Sequence, residues 1–229
     1  MPNELVLIIT LLAIYAGALF FYRQLGAAGL YAWTAIATIT ANIEVLILVD
    51  AFGMEQTLGN ILFASTFLVT DMLSELEGKE AANKAVKIGI FTSIAMILIS
   101  QSWFLYTPNA NDWVFDSIAT IFSNTPRLML AGFLTYAIVQ AFDVWFYHFI
   151  WAKTTAKWGN SHKGLWIRNN GSTLVSQLIN AIVFNLGAFY GVYDMTTLGY
   201  IIVATYVVFV VTSLLDTPVV YLARKMAEK

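Results

Sequence analysis

The segment TFLVTDMLSELEG, residues 66–78, begins as an apolar run and then places two carboxylates one helical turn apart. Asp71 and Glu75 stand at positions i and i+4, so a helix carries both on one face. A charge at mid-bilayer depth costs several kcal/mol unless it is paired or faces water. For Glu75, a surface pair with Lys79 explains the spacing equally well. For Asp71, the pattern favours the wall of a water-accessible cavity.

A second acidic segment is LTYAIVQAFDVWF, residues 134–146, where Gln140 and Asp143 lie one helical turn apart. The same argument applies to Asp143, because a buried carboxylate needs donors or water. A structural hydrogen bond from one helix to another is the alternative for this pair.

A stripe of polar residues follows in LWIRNNGSTLVSQLINAIVFN, residues 165–185. Asn169, Thr173, Gln177 and Asn180 recur every three or four residues and therefore share one helical face. One amide in a membrane helix is usually a link to a neighbouring helix, but four in line favour a cavity wall. At the start of this helix, Arg168 and free backbone N–H groups would suit an acceptor oxygen or an anion.

The elements that must position these residues are membrane helices. The chain has 229 residues, 59% of them hydrophobic, and a mean hydropathy of +0.72, which is too apolar for one soluble core. A bilayer core about 30 Å thick needs roughly 20 helical residues. We therefore predict an all-α, polytopic integral membrane bundle of seven transmembrane helices. The predicted spans are 4–22, 29–49, 59–76, 84–106, 127–151, 167–190 and 197–223.

The distribution of basic residues predicts the orientation of these spans. With the N-terminus outside and the C-terminus cytoplasmic, all but one of the 12 Lys and Arg residues fall in cytoplasmic segments, the exception being Arg127. We expect a multi-pass protein of the plasma membrane that contacts membrane lipid. The first span lacks the basic start of a signal peptide and is interpreted as a retained helix.

The chain is interpreted as a single domain, 1–229, with lobes 1–156 and 164–229 joined by a polar cytoplasmic loop. Strands are not expected, because the alternating segments of a membrane barrel are missing from the sequence. The long connection 107–126 contains DWVFDSIATIF, which is either a short surface helix or a folded-back loop.

Several classes of function are excluded or disfavoured. There are no cysteines, and His148 and His162 lack metal-ligand spacing, so neither a metal nor another cofactor is expected. The sequence does not show a nucleophile with a paired base, as an enzyme would need. It also lacks the clustered Lys and Arg residues that direct binding of nucleic acid would need. A retinal protein would need a lysine one turn after Asp216, where Val220 stands.

Four ordered segments resemble the signature segments of the queuosine precursor transporter family, which is grouped with vitamin-uptake-type transporters. They are TFLVTDMLSELEGKEAANKAVKIG, PRLMLAGFLTYAIVQAFDVWFY, LWIRNNGSTLVSQLINAIVF and SLLDTPVVYL. The resemblance implies a six-helix core, with the first span additional, and import of 7-cyano- and 7-aminomethyl-7-deazaguanine for tRNA modification. The matching site positions are Asp71, Arg127, Gln140, Asp143, Ser172, Thr173 and Gln177.

The chain departs from that family pattern at two positions. An acidic residue often stands where this chain has Asn180, and a lysine often stands at or near Val208. A changed ligand is therefore one alternative, and a substrate-binding subunit that needs a separate energising complex is another. The chain could act alone or as a homo-oligomer.

The chemistry of a small planar base agrees with the resemblance. A deazaguanine presents adjacent N–H donors, which suit a carboxylate such as Asp71 or Asp143. Its ring carbonyl suits an amide donor from Gln177, Asn180 or Asn169.

Overall fold

The structure is a computed structural model that describes residues 1–122 and 126–228. In those residues the chain forms eight α-helices, one 3₁₀ turn at Trp103–Leu105 and a two-stranded antiparallel hairpin. The helices are α1 Asn3–Leu25, α2 Ala27–Glu44, α3 Gly59–Leu76, α4 Lys79–Ser102, α5 Phe115–Phe122, α6 Pro126–Trp158, α7 Leu165–Phe189 and α8 Met195–Ala227, and the strands are β1 Leu48–Ala51 and β2 Met54–Thr57.

Five of the helical segments in the described residues are long and apolar enough to cross a membrane. They are Asn3–Leu25, Lys79–Leu105, Arg127–Trp158, Leu165–Phe189 and Met195–Ala227. The protein is therefore a polytopic helical membrane protein. The other two predicted spans form helices α2 and α3, each of 18 residues.

Helix α3 occupies the centre of the bundle. It packs against α1, α2, α4, α6 and α8, and 15 of its 18 residues are buried. This burial explains its polar composition, because a helix enclosed by other helices does not need an apolar, lipid-facing surface. Asp71 therefore lies inside the protein.

The bundle has two distinct ends. One carries β1 and β2 together with the start of α3, and we call it the hairpin end. At the opposite end lie Glu75, Arg168 and Arg224, and we call it the arginine end.

The hairpin corrects the expectation that the chain has no strands and that the second span reaches residue 49. Helix α2 ends at Glu44, and β1 pairs with β2 in register from Leu48↔Thr57 to Ala51↔Met54. Phe52 and Gly53 form the connecting turn with positive φ angles of 54° and 71°, the conformation of a tight two-residue hairpin loop.

Other boundaries also differ from the predicted ones. Helix α4 begins at Lys79, ahead of the predicted start at residue 84, and α6 continues past residue 151 to Trp158. Residues 115–122 of the segment DWVFDSIATIF form the short helix α5, which carries Asp116 in its first turn.

The start of α8 is determined by Asp194. Its carboxylate accepts hydrogen bonds from the Thr197 hydroxyl at 2.6 Å and from the backbone N–H groups of Thr196 and Thr197 at 2.9 and 3.1 Å. These are the bonds of an N-cap residue. They lower the pKa of Asp194, the Thr197 hydroxyl making the largest contribution.

We expect Gly89→Ala to destabilise the bundle, because Gly89 is where α4 closely approaches Tyr136 of α6. A Cβ at Gly89 would collide with the phenol ring of Tyr136, whose side chain is buried. Overpacking of this kind typically costs about 1–3 kcal/mol. Thermal unfolding of the purified protein in detergent measures the loss.

Gly199→Ala is the matched control, since nothing lies within 4 Å of a Cβ at that helical position. It should leave the melting temperature unchanged or slightly raised. Equal melting temperatures for the two variants would contradict the close approach at Gly89.

Candidate functional site

Three buried carboxyl groups from three different helices lie in the interior. Asp71 of α3, Asp143 of α6 and Asp216 of α8 are each at most 1% exposed. The Thr173 hydroxyl donates to Asp71 Oδ2 at 2.9 Å, and Asn169 Nδ2 donates to Asp216 Oδ1 at 2.9 Å. The charges of Asp143 and Asp216 both act on Asp71, so the three groups form one electrostatic cluster.

Asp143 differs from the other two because neither of its oxygens has a hydrogen-bond partner among the described residues. Ser172 and Ser176 of α7 are close enough to interact with it, but neither reaches hydrogen-bond geometry. The Ser172 hydroxyl instead donates to the backbone oxygen of Arg168 at 2.8 Å.

Gln177 also has unmatched polar atoms. Its side chain is fully buried, and both its amide nitrogen and its amide oxygen lack partners within the described part of the chain. A buried polar group without a hydrogen bond costs about 1–3 kcal/mol, and such groups are rare in native proteins. Asp143 and Gln177 therefore present hydrogen-bonding capacity that the protein itself does not use.

Gln140 has the structural role that the sequence analysis left open as the alternative. Its amide nitrogen donates to the Thr66 hydroxyl at 2.6 Å, and its amide oxygen accepts from the Thr70 hydroxyl at 3.2 Å. Both partners belong to α3. Gln140 thus links α6 to α3 and has little capacity left for a ligand.

Asn169 also makes a link between helices. Besides Asp216, its amide nitrogen reaches the Thr217 hydroxyl at 3.1 Å, and the Asn170 amide donates to the same hydroxyl at 2.7 Å. Sequence reasoning missed Asp216 and Thr217 as members of this cluster. The signal available was an adjacent Asp-Thr pair inside the last apolar span.

Arg127 does not join the carboxylates. It is exposed at the hairpin end, where Nε donates to the Gly187 oxygen at 2.9 Å and Nη2 donates to the Tyr190 oxygen at 2.6 Å. It therefore caps the C-terminal end of α7. Along α6, a helical rise of 1.5 Å per residue separates Arg127 from Asp143 by about 24 Å.

Asn180 lines a cavity near the hairpin end. Its other polar and aromatic wall residues are Thr38, Asn42, Asn60, Phe63, Ser93, Tyr136, Phe184 and Phe209. Amides and aromatic rings are suited to a flat ligand with hydrogen-bonding edges. Asp143 follows Tyr136 by seven residues on α6, so it lies about two helical turns beyond this wall of the cavity.

The arginine end is closed by an ion cluster around Glu75. Arg168 is fully buried and approaches both Glu75 oxygens, with nitrogen to oxygen distances of 2.6, 2.7 and 3.0 Å. The Tyr147 hydroxyl donates to Glu75 at 3.0 Å, and Arg224 Nη1 lies 3.2 Å from it. The Arg168 guanidinium also lies over the ring of Trp151 at 4.2 Å.

This cluster joins α3, α6, α7 and α8. The interpretation of Glu75 as a surface partner of Lys79 is wrong, because Glu75 is 3% exposed and its ion-pair partners are Arg168 and Arg224. At the start of α7, Glu75 is the acceptor for the Arg168 side chain.

The arrangement places polar and charged groups at several levels in the interior of a membrane protein. Within residues 1–122 and 126–228, no three His, Cys, Asp or Glu side chains are grouped as metal ligands would be. A cavity, a layer of carboxyl groups and an ion cluster follow one another from the hairpin end to the arginine end. Fold and site together are those of a small-molecule transporter.

Comparison with known proteins identifies the family. Residues 57–223 match a family model described as "Putative vitamin uptake transporter". The chain is also 36% identical over 208 residues to a Bacillus subtilis (strain 168) protein named "Probable queuosine precursor transporter", which covers 91% of this chain and 89% of the relative. This chain belongs to that family of vitamin uptake transporters. No solved structure matches it.

We expect Arg168→Met to lower the free energy of unfolding by about 3–5 kcal/mol, the typical cost of leaving one member of a buried ion pair alone. The methionine retains much of the apolar stem, so the loss reports chiefly on the charge. Thermal unfolding in detergent, with retention on size exclusion as a check of folding, measures it.

Glu228→Gln is the matched control, because it removes an ion pair of Arg224 whose acidic partner is 60% exposed. Exposed pairs of this spacing are worth about 0.5 kcal/mol or less. If Arg168→Met melted as close to the wild-type temperature as Glu228→Gln does, the ion cluster around Glu75 would not hold the arginine end closed.

Proposed function

We propose that this protein imports queuosine precursors, 7-deazaguanine bases such as 7-cyano- and 7-aminomethyl-7-deazaguanine, across the plasma membrane for use in tRNA modification. The observation that carries the proposal is the set of unmatched hydrogen-bonding atoms on Asp71, Asp143 and Gln177. The name of the Bacillus subtilis relative supplies the class of ligand.

The three side chains offer what the edge of such a base requires. Asp143 has two free carboxylate oxygens, which can accept two adjacent N–H donors of the pyrimidine edge. The Gln177 amide can donate to the neighbouring ring carbonyl. Thr173 holds Asp71 in place through Oδ2 and leaves Oδ1 for a ligand.

In the proposed transport path, the base meets Asn180 before it reaches Asp143 and Gln177. It lies in the wall of the cavity near the hairpin end, where the base would enter among amides and aromatic rings. Gln140 and Asn169 support the site by linking helices, and Arg127 supports it by capping α7. In this proposal Asp71, Asp143, Gln177 and Asn180 contact the ligand.

We also propose that all seven long helices cross the membrane, with the N-terminus outside and the arginine end in the cytoplasm. The distribution of basic residues supports this orientation. The burial of α3 removes the need for that helix to be apolar on every face.

A cysteine introduced at Asn160 should be labelled only from the cytoplasmic side, and one at Asn111 only from outside, by a membrane-impermeant maleimide. Both positions are exposed and lie at opposite ends of the bundle. Because the chain has no native cysteine, any labelling reports on the introduced one. Labelling of both from the same side would refute the seven-span orientation.

The substrate class is tested in cells that cannot make the deazaguanine ring. Expression of this protein should restore queuosine in their tRNA at low external base concentration, and an empty vector should not. Queuosine at empty-vector level, with the protein present in the membrane, would reject the proposed function.

Gln177→Ala should lower the affinity of the purified protein for the base by roughly 5- to 150-fold, the equivalent of about 1–3 kcal/mol for one buried hydrogen-bonding group. Gln24→Ala, at an exposed position near the end of α1, is the control and should bind as wild type does. Unchanged affinity in Gln177→Ala would show that the ring carbonyl does not accept a hydrogen bond from Gln177.

A further inference from the structure

The buried interior contains more acidic groups than basic ones. Asp71, Asp143, Asp216 and Glu75 are buried carboxyl groups, and Arg168 is the fully buried cation in the described residues. Arg168 is committed to Glu75 and to the Lys163 backbone oxygen, which it contacts at 2.9 Å. The interior therefore has no arginine or lysine left for its three aspartates.

The surroundings of these aspartates are neutral or negative. Across residues 1–122 and 126–228, the three ion pairs involve only Glu75 and Glu228 as acids. The charged groups that act on Asp71 are Asp143, Asp216 and Glu75, all acidic. Its direct hydrogen-bond donor is the neutral hydroxyl of Thr173.

A neutral ligand would satisfy hydrogen bonds here but would bring no counter-charge to these carboxyl groups. A carboxyl group that is buried without a counter-charge is either ionised at a high cost in free energy or protonated and neutral. A ligand that brings a positive charge would supply the missing partner, and its hydrogen bonds to carboxylates would be of the stronger, charge-assisted kind.

From this imbalance we propose that the interior site selects a cationic base, so that 7-aminomethyl-7-deazaguanine binds in preference to 7-cyano-7-deazaguanine. The inference rests on the proposed function and narrows its substrate. An alkyl amine has a pKa near that of lysine, about 10.4, so the aminomethyl group is an ammonium at neutral pH.

The two aspartates that remain available differ in a way that fits the two edges of this ligand. Asp143 has both oxygens free and can accept the paired donors of the pyrimidine edge. Asp71 has one free oxygen, Oδ1, and can accept one N–H of an ammonium group. A nitrile in that position would direct its own lone pair at the carboxylate, which is repulsive.

Equilibrium binding of the two bases to the purified protein in detergent tests the inference. Wild type should bind the aminomethyl base at least about tenfold more tightly than the cyano base, a difference of roughly 1.4 kcal/mol. Similar affinities for the two bases would overturn the selectivity while leaving the proposed function intact. Binding of neither base would overturn both.

Two variants assign the roles. Asp71→Asn should reduce the ratio of the two affinities towards one, mainly by weakening the aminomethyl base. Asp143→Asn should weaken both bases by a similar factor and preserve the ratio. A preserved ratio in a folded Asp71→Asn protein would overturn the assignment.

Two further variants test whether the preference depends on Asp71 itself rather than on carboxylates elsewhere in the protein. Glu55→Gln removes a carboxylate at an exposed position on β2, so it should keep the preference for the aminomethyl base. Asp116→Asn, at an exposed position on α5, should bind both bases as wild type does. Loss of the preference in either of these variants would contradict a role for the Asp71 charge.

Discussion

The ion pair between Glu75 and Arg168 is the contact on which the interior arrangement depends. A buried pair offsets its own desolvation only if its geometry is good and its remaining donors and acceptors are matched. Here Tyr147 and Arg224 supply those matches. The pair sets the rotation of α3 and α7 about their axes. Asp71 lies one turn from Glu75 on α3, and Thr173 follows Arg168 by about one turn and a half on α7, so the same contact also brings Thr173 to Asp71.

Hydrogen-bond satisfaction separates residues that hold the bundle together from residues that can act on a ligand. In lipid, burying apolar surface between two helices gives no hydrophobic driving force, because lipid tails are equally apolar. Polar contacts between helices therefore help to determine which helices pair. Gln140 has partners on a neighbouring helix, as does Tyr15, whose hydroxyl donates to the Thr212 oxygen at 2.9 Å. By contrast, Asp143 and Gln177 are buried to the same extent and have none in the described chain. Burial alone would not distinguish the two groups.

Helical periodicity was enough to predict the helices and which faces would be polar, and Asp71, Asp143, Thr173 and Gln177 are all buried as expected. Partners distant in sequence could not be predicted. Glu75 and Arg168 are 93 residues apart, and Lys79 at i+4 was an equally good local partner. Arg127 was grouped with the site residues through the family resemblance, and the structure places it at the end of α7, where it donates to the Gly187 and Tyr190 oxygens. The hairpin was missed because its turn is Phe-Gly rather than the familiar Asn-Gly.

The two ends of the bundle are unequal, and this bears on how a ligand could pass through. Near the hairpin end a cavity lies about two turns of α6 from Asp143, whereas at the arginine end Glu75 lines a second cleft together with Trp151, His162 and Arg224. Release of the proposed substrate into that cleft requires Glu75 and Arg168 to part. Their charges would then face the water of the cleft rather than apolar protein, so hydration would replace part of the interaction that is lost. An ion pair next to a water-accessible cleft can therefore open at lower cost than the same pair enclosed in an apolar core.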